Sequence, residues 1–217
     1  MASMTIHAAM FDLDGTLVDT LSDIAAAGNY TMAQLGRPAL TIEEYRMLVG
    51  RGTTWLFSRA LGTDDPLLLT RANEFYTRYY DAHGTDLSQP YDGISQLLDS
   101  VSAAGLKLAV FSNKPQRAVD QVMANIFSRW QFDVVEGYRE GRPLKPDPTV
   151  AWEICTRLNI AASDWVFLGD TAIDMKTARS AGMFAVGALW GFRDKAELQE
   201  AGAEAIIGRP QEMLDLF

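Results

Sequence analysis

The sequence contains one cysteine, Cys155, and two histidines, His7 and His83. A lone cysteine cannot form an internal disulfide, and these three residues are too few for a zinc cluster of cysteine and histidine ligands. A Ser-His-Asp triad is disfavoured as well, because histidines are scarce and no G-x-S-x-G turn is present. We predict Cys155 to be a buried helix residue, since it lies in the apolar-patterned stretch "VAWEICTRL".

Positive charge is also in short supply. The chain has 19 Lys and Arg residues against 28 Asp and Glu residues, a formal net charge of -9, and no run of basic residues. This balance argues against a nucleic-acid partner. No Lys or Arg precedes Arg37, and no apolar stretch is long enough to span a bilayer. We therefore expect a cytoplasmic protein without a membrane partner, and leave both monomer and homodimer open.

Short β-rich runs alternate with helical patterns from about residue 88 onward. The runs are apolar throughout, which is typical of a parallel sheet covered on both faces. The apolar stretch "IHAAMF" supplies a first strand for the same sheet. The sequence therefore predicts an α/β core whose later strands are "LKLAVFS" (106–112), "FDVVEG" (132–137), "DWVFLGD" (164–170), "FAVGALW" (184–190) and "AEAIIG" (203–208).

Residues 17–86 differ from the rest of the chain. They contain no convincing strand, and their apolar positions recur at helical spacing. Roughly 70 residues is far more than a simple crossover connection needs. We predict an all-helical cap domain at 17–86, inserted into a Rossmann-like catalytic core made of 1–16 and 87–217.

Polar residues cluster where the predicted core strands end, which is where open parallel sheets bind ligands. Three carboxylates at one place repel one another unless a cation lies among them, and hard oxygen ligands suit Mg²⁺. Lys145, in the proline-rich loop "GRPLKPDP", adds positive charge. The set predicts a site for phosphate and Mg²⁺, and comprises Asp12, Asp14, Thr16, Ser112, Asn113, Lys114, Lys145, Asp170 and Asp174.

Four short motifs in this set resemble those of the haloacid dehalogenase-like phosphatase superfamily. They are "DLDGT" after the first strand, "SNK" after the next core strand, a lone Lys before "PDP", and "GDTAID" after a late strand. Within the superfamily the chain is most similar to the phosphoglycolate phosphatase group, through "FDLDGTLVDT", "LVGRGTTWLFSRALG" and "GALWGFRD". The resemblance implies a Rossmann-like parallel sheet with a helical cap.

The resemblance also implies catalytic roles. Asp12 would be the nucleophile that forms an aspartyl-phosphate, with Lys145 and Mg²⁺ neutralising the phosphate it approaches. Asp14 would protonate the leaving group and then deprotonate the attacking water. Mg²⁺ would be held by Asp12, the main-chain carbonyl of Asp14, and Asp170. Asp174 would support the metal site and Lys145 without binding the metal itself.

Substrate contacts are implied in the same way. Thr16, the hydroxyl of Ser112 and the backbone amides near Leu13 and Asn113 would donate hydrogen bonds to the phosphoryl oxygens. Arg51, in the cap stretch "VGRGTTW", would meet a carboxylate or phosphate on the leaving group. The expected substrate is a small phosphorylated metabolite, with 2-phosphoglycolate as the leading candidate.

Each motif alone also has an ordinary interpretation as a turn, a helix cap or an exposed loop residue; their joint placement at strand ends favours the site. Three alternatives remain open: a phosphosugar mutase, an inorganic pyrophosphatase of the same fold, and a phosphate-binding regulatory module. A phosphonate-cleaving enzyme is disfavoured, because that chemistry would use a cap lysine and residues 17–86 contain none.

Overall fold

A six-stranded parallel sheet forms the centre of the protein. The computed structural model describes residues 5–216. The strands are β1 (Ala8–Phe11), β2 (Lys107–Pro115), β3 (Val134–Tyr138), β4 (Trp165–Gly169), β5 (Phe184–Ala188) and β6 (Ala205–Ile207), in the spatial order β3-β2-β1-β4-β5-β6. The chain therefore builds outward from β1 to one edge and returns to build the other half, which places a topological switch point at β1.

The two faces of the sheet are both covered. Ala9 and Phe11 of β1 belong to one buried cluster, whereas Ala8 and Met10 belong to a second cluster on the opposite face. Successive strand residues point to opposite faces, so a strand buried on both sides must be apolar at every position. This is why the core strands appear in the sequence as unbroken apolar runs, and it confirms the predicted α/β fold class.

Helices connect the strands and form the outer layers. Their bounds are α1 (Leu21–Gln34), α2 (Ile42–Leu48), α3 (Thr53–Leu61), α4 (Pro66–His83), α5 (Ile94–Ala103), α6 (Gln116–Ile126), α7 (Thr149–Leu158), α8 (Ala172–Ala181) and α9 (Lys195–Glu200), with 3-10 turns at Ala162–Asp164 and Pro210–Leu216. None of the helices within residues 5–216 combines the length and apolarity needed to cross a membrane. Cys155 is buried in α7, as predicted.

Helices α1 to α4 follow one another without an intervening strand, and we call this segment (21–83) the helical insert. Two of its helices begin at side-chain caps: Thr41 and Glu44 form a capping box on α2, and Asp65 accepts a hydrogen bond from the amide of Leu67 at the start of α4. The insert has a buried cluster of its own, which includes Tyr45 and Phe57. Its division from the core at residues 16 and 87 stays a prediction.

One detail of the sequence prediction is wrong. Residues 17–86 do contain a strand, because Val18–Asp19 pairs antiparallel with Gln89–Pro90. Each of these strands has two residues, too few to show a period in the sequence. The pair lies where the chain enters and leaves the helical insert, so it ties the two crossings together.

Candidate active site

Three adjacent strands carry polar side chains at the same edge of the sheet. Asp12 follows β1, and its backbone amide donates to the carbonyl of Leu168 at 3.0 Å, which continues the ladder one residue beyond the strand. Asp170 follows β4, and residues 112–114 lie near the end of β2. Because β2, β1 and β4 are neighbours, these polar ends meet, as the strand-end argument predicts.

Lys145 lies between two carboxylates. Its Nζ is 2.8 Å from Asp12 Oδ1 and 2.6 Å from Asp174 Oδ1, and the residue is 4% exposed. Burial alone would lower the pKa of Lys145, but the charges of Asp12 and Asp174 outweigh it and raise the pKa above 10.5. The side chain therefore stays an ammonium and places a fixed positive charge beside Asp12.

The acidic residues Asp12, Asp170 and Asp174 offer oxygen atoms that all lie within 4.8 Å of one another. Burial and, next, the charge of Asp174 raise the pKa of Asp12 to about 7, although Lys145 acts in the opposite direction. Burial, Asp174 and Asp12 raise the pKa of Asp170 well above its usual range. A divalent cation among these oxygens would remove the repulsion, and a buried set of hard oxygen donors fits Mg²⁺.

The two later acids differ in their other partners. Lys145 donates to Asp174 Oδ1, while the amide and hydroxyl of Thr171 donate to Asp174 Oδ2 at 3.1 and 2.8 Å. Thr171 and Asp174 form the capping box that begins α8. Both oxygens of Asp174 thus have protein donors, an arrangement that fits the supporting role implied for this residue.

The carboxylate of Asp170 accepts hydrogen bonds from two loops, the one that follows β1 and the one that follows β5. The hydroxyl of Thr16 donates to Oδ1 at 3.1 Å, and the amide of Phe192 donates to Oδ2 at 2.8 Å. Glycine is required at positions 15 and 191, because a Cβ there would lie 2.4 Å from Asp170 Oδ2 or 2.3 Å from Asp170 Cβ, respectively. Thr16 therefore orients an acid of the site, and its predicted bond to a phosphoryl oxygen stays a prediction.

Asn113 fixes the position of two loops. Its Oδ1 accepts from the amide of Lys145 at 2.7 Å, and its Nδ2 donates to the carbonyls of Lys145 at 3.1 Å and Gly50 at 2.9 Å. The side-chain amide is thus committed to main-chain groups, and a phosphate contact from this residue would have to come from its backbone. Ser112 lies in the pocket wall, buried, with its hydroxyl accepting from the amide of Lys114 at 3.3 Å.

Asp14 points to a different set of partners. Lys114 Nζ lies 2.9 Å from Asp14 Oδ1 and 3.1 Å from Oδ2, and the hydroxyl of Thr20 donates to Oδ1 at 2.7 Å. The same ammonium lies 4.6 Å from the centre of the Tyr80 ring. The sequence marks Lys114 as a strand-end residue but gives it no role, so this ion pair is a feature that sequence reasoning missed.

These groups open into one pocket between the core and the helical insert. The polar end is formed by Asp12, Asp14, Ser112, Asn113, Lys114 and Lys145. The wall contributed by the insert is largely apolar, with Ile24, Leu48, Val49, Leu56, Tyr76 and Tyr80. The pocket thus joins a charged end, suited to phosphate, to an apolar wall that would surround a leaving group.

Arg51 is not brought into this pocket. Gly50 and Gly52 line it, but the guanidinium of Arg51 lies 5.1 Å from the centre of the Trp55 ring, and the residue is exposed. In this arrangement Arg51 makes a cation–π contact at the start of α3. Its predicted contact with the substrate stays a prediction.

A second missed residue, Arg193, joins the core to the loop that carries Gly50. Its guanidinium donates to the carbonyls of Arg46 at 2.7 Å, Met47 at 3.2 Å and Val49 at 3.2 Å, all at the end of α2. The side chain is 11% exposed. The planar fork of arginine carries five N–H donors and can bind several carbonyls at once, so Arg193 fixes one wall of the pocket.

We expect Arg193→Met to lower the free energy of unfolding by about 2 kcal/mol, because it removes a charged donor from carbonyls at the insert–core junction. Urea titration measures this difference. Arg179→Met is the matched control: Arg179 makes a half-exposed ion pair with Glu204 at 2.7 Å, and its loss should change stability by less than about 1 kcal/mol. Equal effects of the two substitutions would contradict the role given to Arg193.

The fold and site together define a class of α/β proteins with an open parallel sheet, in which an aspartate at the end of the central strand faces a buried lysine and an acidic cluster. The family model of haloacid dehalogenase-like hydrolases matches residues 9–188. The chain belongs to this family, as its motifs indicate, and is similar to its phosphoglycolate phosphatase group.

Individual relatives cover nearly the whole chain. An N-acetylmuramic acid 6-phosphate phosphatase of Pseudomonas aeruginosa is 32% identical over 220 residues, with 100% of this chain and 97% of the relative covered. A phosphoglycolate phosphatase of Nitrosospira multiformis is 31% identical over 209 residues, with coverage of 94% and 92%. The solved structure of a haloacid dehalogenase-like family hydrolase from Streptococcus pneumoniae aligns with a TM-score of 0.88 at 28% identity, covering 97% of this chain and 98% of that one.

Proposed function

We propose that this protein is a cytoplasmic, Mg²⁺-dependent phosphatase that hydrolyses small phosphate monoesters through an aspartyl-phosphate, with 2-phosphoglycolate as its preferred substrate. The contact between Lys145 and Asp12, 2.8 Å from nitrogen to oxygen, carries the proposal. A carboxylate can approach a phosphate dianion only where positive charge is already in place, and Lys145 supplies part of it. The similarity to phosphoglycolate phosphatases supports the choice of substrate.

The reaction assigned to Asp12 and Asp14 has two steps, formation and hydrolysis of the aspartyl-phosphate. An oxygen of Asp12 attacks phosphorus, the bond from phosphorus to the ester oxygen breaks, and Asp14 gives its proton to that oxygen. Water then attacks phosphorus and passes a proton to Asp14, and the bond from phosphorus to the Asp12 oxygen breaks. Inorganic phosphate leaves, and both side chains return to their starting states. Lys145 stays charged throughout and neutralises the phosphoryl oxygens.

Asp12, the carbonyl of Asp14, and Asp170 would hold Mg²⁺, with Asp174 supporting them through Lys145. The ion, when bound, supplies Lewis-acid neutralisation of the phosphoryl group. Ser112 lies at the polar end of the pocket, where its hydroxyl can meet a phosphoryl oxygen.

The experiment is a phosphate-release assay on purified protein, with and without Mg²⁺. The panel contains 2-phosphoglycolate, N-acetylmuramic acid 6-phosphate, sugar phosphates, nucleoside monophosphates and pyrophosphate. We expect release from 2-phosphoglycolate that ends on chelation and returns with Mg²⁺. Interconversion of glucose 1-phosphate and glucose 6-phosphate without release would show a mutase, and a preference for pyrophosphate would show a pyrophosphatase; either would contradict the proposal.

Metal binding can be tested apart from activity. We expect Mg²⁺ to raise the melting temperature of the wild-type protein, because a ligand that binds only the folded state stabilises it. Asp170→Asn should abolish most of this shift, because it removes one charged oxygen donor from the acidic cluster. Asp120→Asn, a substitution at an exposed residue of α6, is the control that should keep it. A full Mg²⁺ shift in Asp170→Asn would contradict the metal assignment.

A further inference from the structure

Lys114 is a buried cation whose charged partner is Asp14. Its side chain is 5% exposed, and both oxygens of Asp14 lie within 3.1 Å of its Nζ. The face of Tyr80, 4.6 Å away, adds a weaker electrostatic contact. A buried ammonium needs such partners, because burial without them is strongly unfavourable. Lys114 would therefore leave Asp14 only for another anion.

The pairing leaves Asp14 poorly placed for the role proposed for it. Oδ1 accepts from Lys114 and from the hydroxyl of Thr20, and Oδ2 accepts from Lys114. Each oxygen of Asp14 therefore already accepts from a protein donor, and the ammonium of Lys114 contacts both. A proton donor must lie within hydrogen-bond reach of the atom it protonates, so Asp14 has to exchange partners when a substrate binds.

Three basic residues line the pocket within the described range 5–216: Lys114, Arg117 and Lys145. Lys145 is held between Asp12 and Asp174, beside the position of the phosphate. The side chain of Arg117 is 77% exposed and pairs with Asp81 at 2.9 Å. Lys114 is therefore the basic residue best placed to meet a second negative group deep in the pocket.

We infer that Lys114 binds a carboxylate on the leaving group, and that this exchange of partners releases Asp14 to face the ester oxygen. The inference rests on the proposed function and extends it to a substrate class, the phosphate monoesters of hydroxy acids. The names of two relatives point to the same chemistry, since phosphoglycolate and N-acetylmuramic acid 6-phosphate each carry a carboxylate in addition to the phosphate. The apolar wall of the insert offers no competing cation.

The test compares two matched pairs of substrates on the full chain with Mg²⁺. In each pair one member lacks the carboxylate: 2-phosphoglycolate against 2-hydroxyethyl phosphate, and N-acetylmuramic acid 6-phosphate against N-acetylglucosamine 6-phosphate. We expect wild-type kcat/KM to favour the acid of one pair, which also identifies the source of the carboxylate. Lys114→Gln should lower that preference by about 10- to 100-fold, the range expected for a hydrogen bond to a charged group.

Other variants separate binding from a merely structural effect. Lys114→Arg keeps the charge and should keep part of the preference. Lys176→Gln, at an exposed residue of α8, should leave the preference as in wild type. Melting temperatures show whether Lys114→Gln remains folded. We also expect the wild-type preference to appear partly in kcat, because a substrate without the carboxylate leaves Asp14 paired with Lys114.

Several results would overturn the inference. Phosphate release with an acid preference that Lys114→Gln leaves intact would contradict the inference while the proposed function stands. A preference for the acid that is lost in Arg117→Gln and kept in Lys114→Gln would also contradict the inference, because it would assign the carboxylate to Arg117. A preference found in KM alone would contradict the release of Asp14. Absence of release from all four esters by the wild-type protein would contradict the proposed function, and the inference with it.

Discussion

Asp12→Asn is expected to abolish phosphate release, with a fall in kcat of at least about 10⁴-fold, as is usual when a covalent nucleophile is removed. An amide has the size of a carboxylate but cannot attack phosphorus at a useful rate. The neighbouring charges of Lys145 and Asp174 remain in place, so the loss reports on the attacking atom. Steady-state phosphate release at saturating substrate and Mg²⁺ measures it.

The same substitution should leave the protein folded. Burial and the charge of Asp174 raise the pKa of Asp12 to about 7, so a neutral side chain is well tolerated at this position. We therefore expect the melting temperature of metal-free Asp12→Asn to be at least that of the wild-type protein. Asp120→Asn, at an exposed residue, should keep full activity.

Residual activity in Asp12→Asn close to that of the wild-type protein would contradict covalent catalysis by this residue. Activity lost together with a strongly lowered melting temperature would instead mean that the residue is needed for folding. A further observation separates the steps: in Asp14→Asn the first attack can proceed with a good leaving group, so a phosphorylated protein should accumulate, whereas Asp12→Asn should never become phosphorylated.

The sheet could be predicted from the sequence because each of its strands is marked by a short, continuous stretch of apolar residues. A strand buried on both faces must be apolar at each position, and the runs around Ala9, Val110 and Phe167 show this directly. The meeting of Asp12 with Asp170 then follows from topology, since the strands that precede them are neighbours. The positions of the main site residues need little more than strand order.

The missed features depend on contacts between distant segments. The pair of Lys114 and Asp14 joins residues 100 positions apart, and nothing near "SNK" in the sequence distinguishes its lysine from an exposed one. The two-residue strand Val18–Asp19 is likewise too short for a periodic signal. By contrast, the contact of Arg51 with Trp55 spans only four residues and lies within one short stretch of the sequence.

Hydrogen bonds from side chains to main-chain groups are also hard to predict from the sequence. Asn113 binds the main chain of Lys145 and of Gly50, and Arg193 binds carbonyls at the end of α2. The residue type shows that a donor or acceptor is present. Its partner can be any carbonyl or amide that the fold brings near, so the sequence does not identify the partner. Sequence motifs therefore predicted which polar side chains meet at the strand ends, but not how the pocket joins the insert; the roles of these side chains stay predictions.

Lys145→Gln is expected to damage both stability and activity. The substitution leaves Asp12 and Asp174, which are 7% and 0% exposed, without their shared cation. Breaking a buried ion pair in this way is destabilising by about 3 to 5 kcal/mol. Urea unfolding of the metal-free protein measures the loss. The matched control is Lys107→Gln: Lys107 pairs with Asp133 at 2.7 Å but its side chain is 52% exposed, so less than about 1 kcal/mol should be lost.

A second substitution distinguishes the two consequences of losing Lys145. Asp174→Asn in the Lys145→Gln background removes one of the two unpaired buried charges, so part of the lost stability should return. Activity should not return, because the positive charge that neutralises the phosphate beside Asp12 is still missing. Phosphate release should stay about 10²- to 10³-fold below the wild-type rate in both variants, as for other preorganised charge-stabilising groups. If the double variant regained activity with stability, Lys145 would serve folding alone, and the phosphate would be neutralised by other groups.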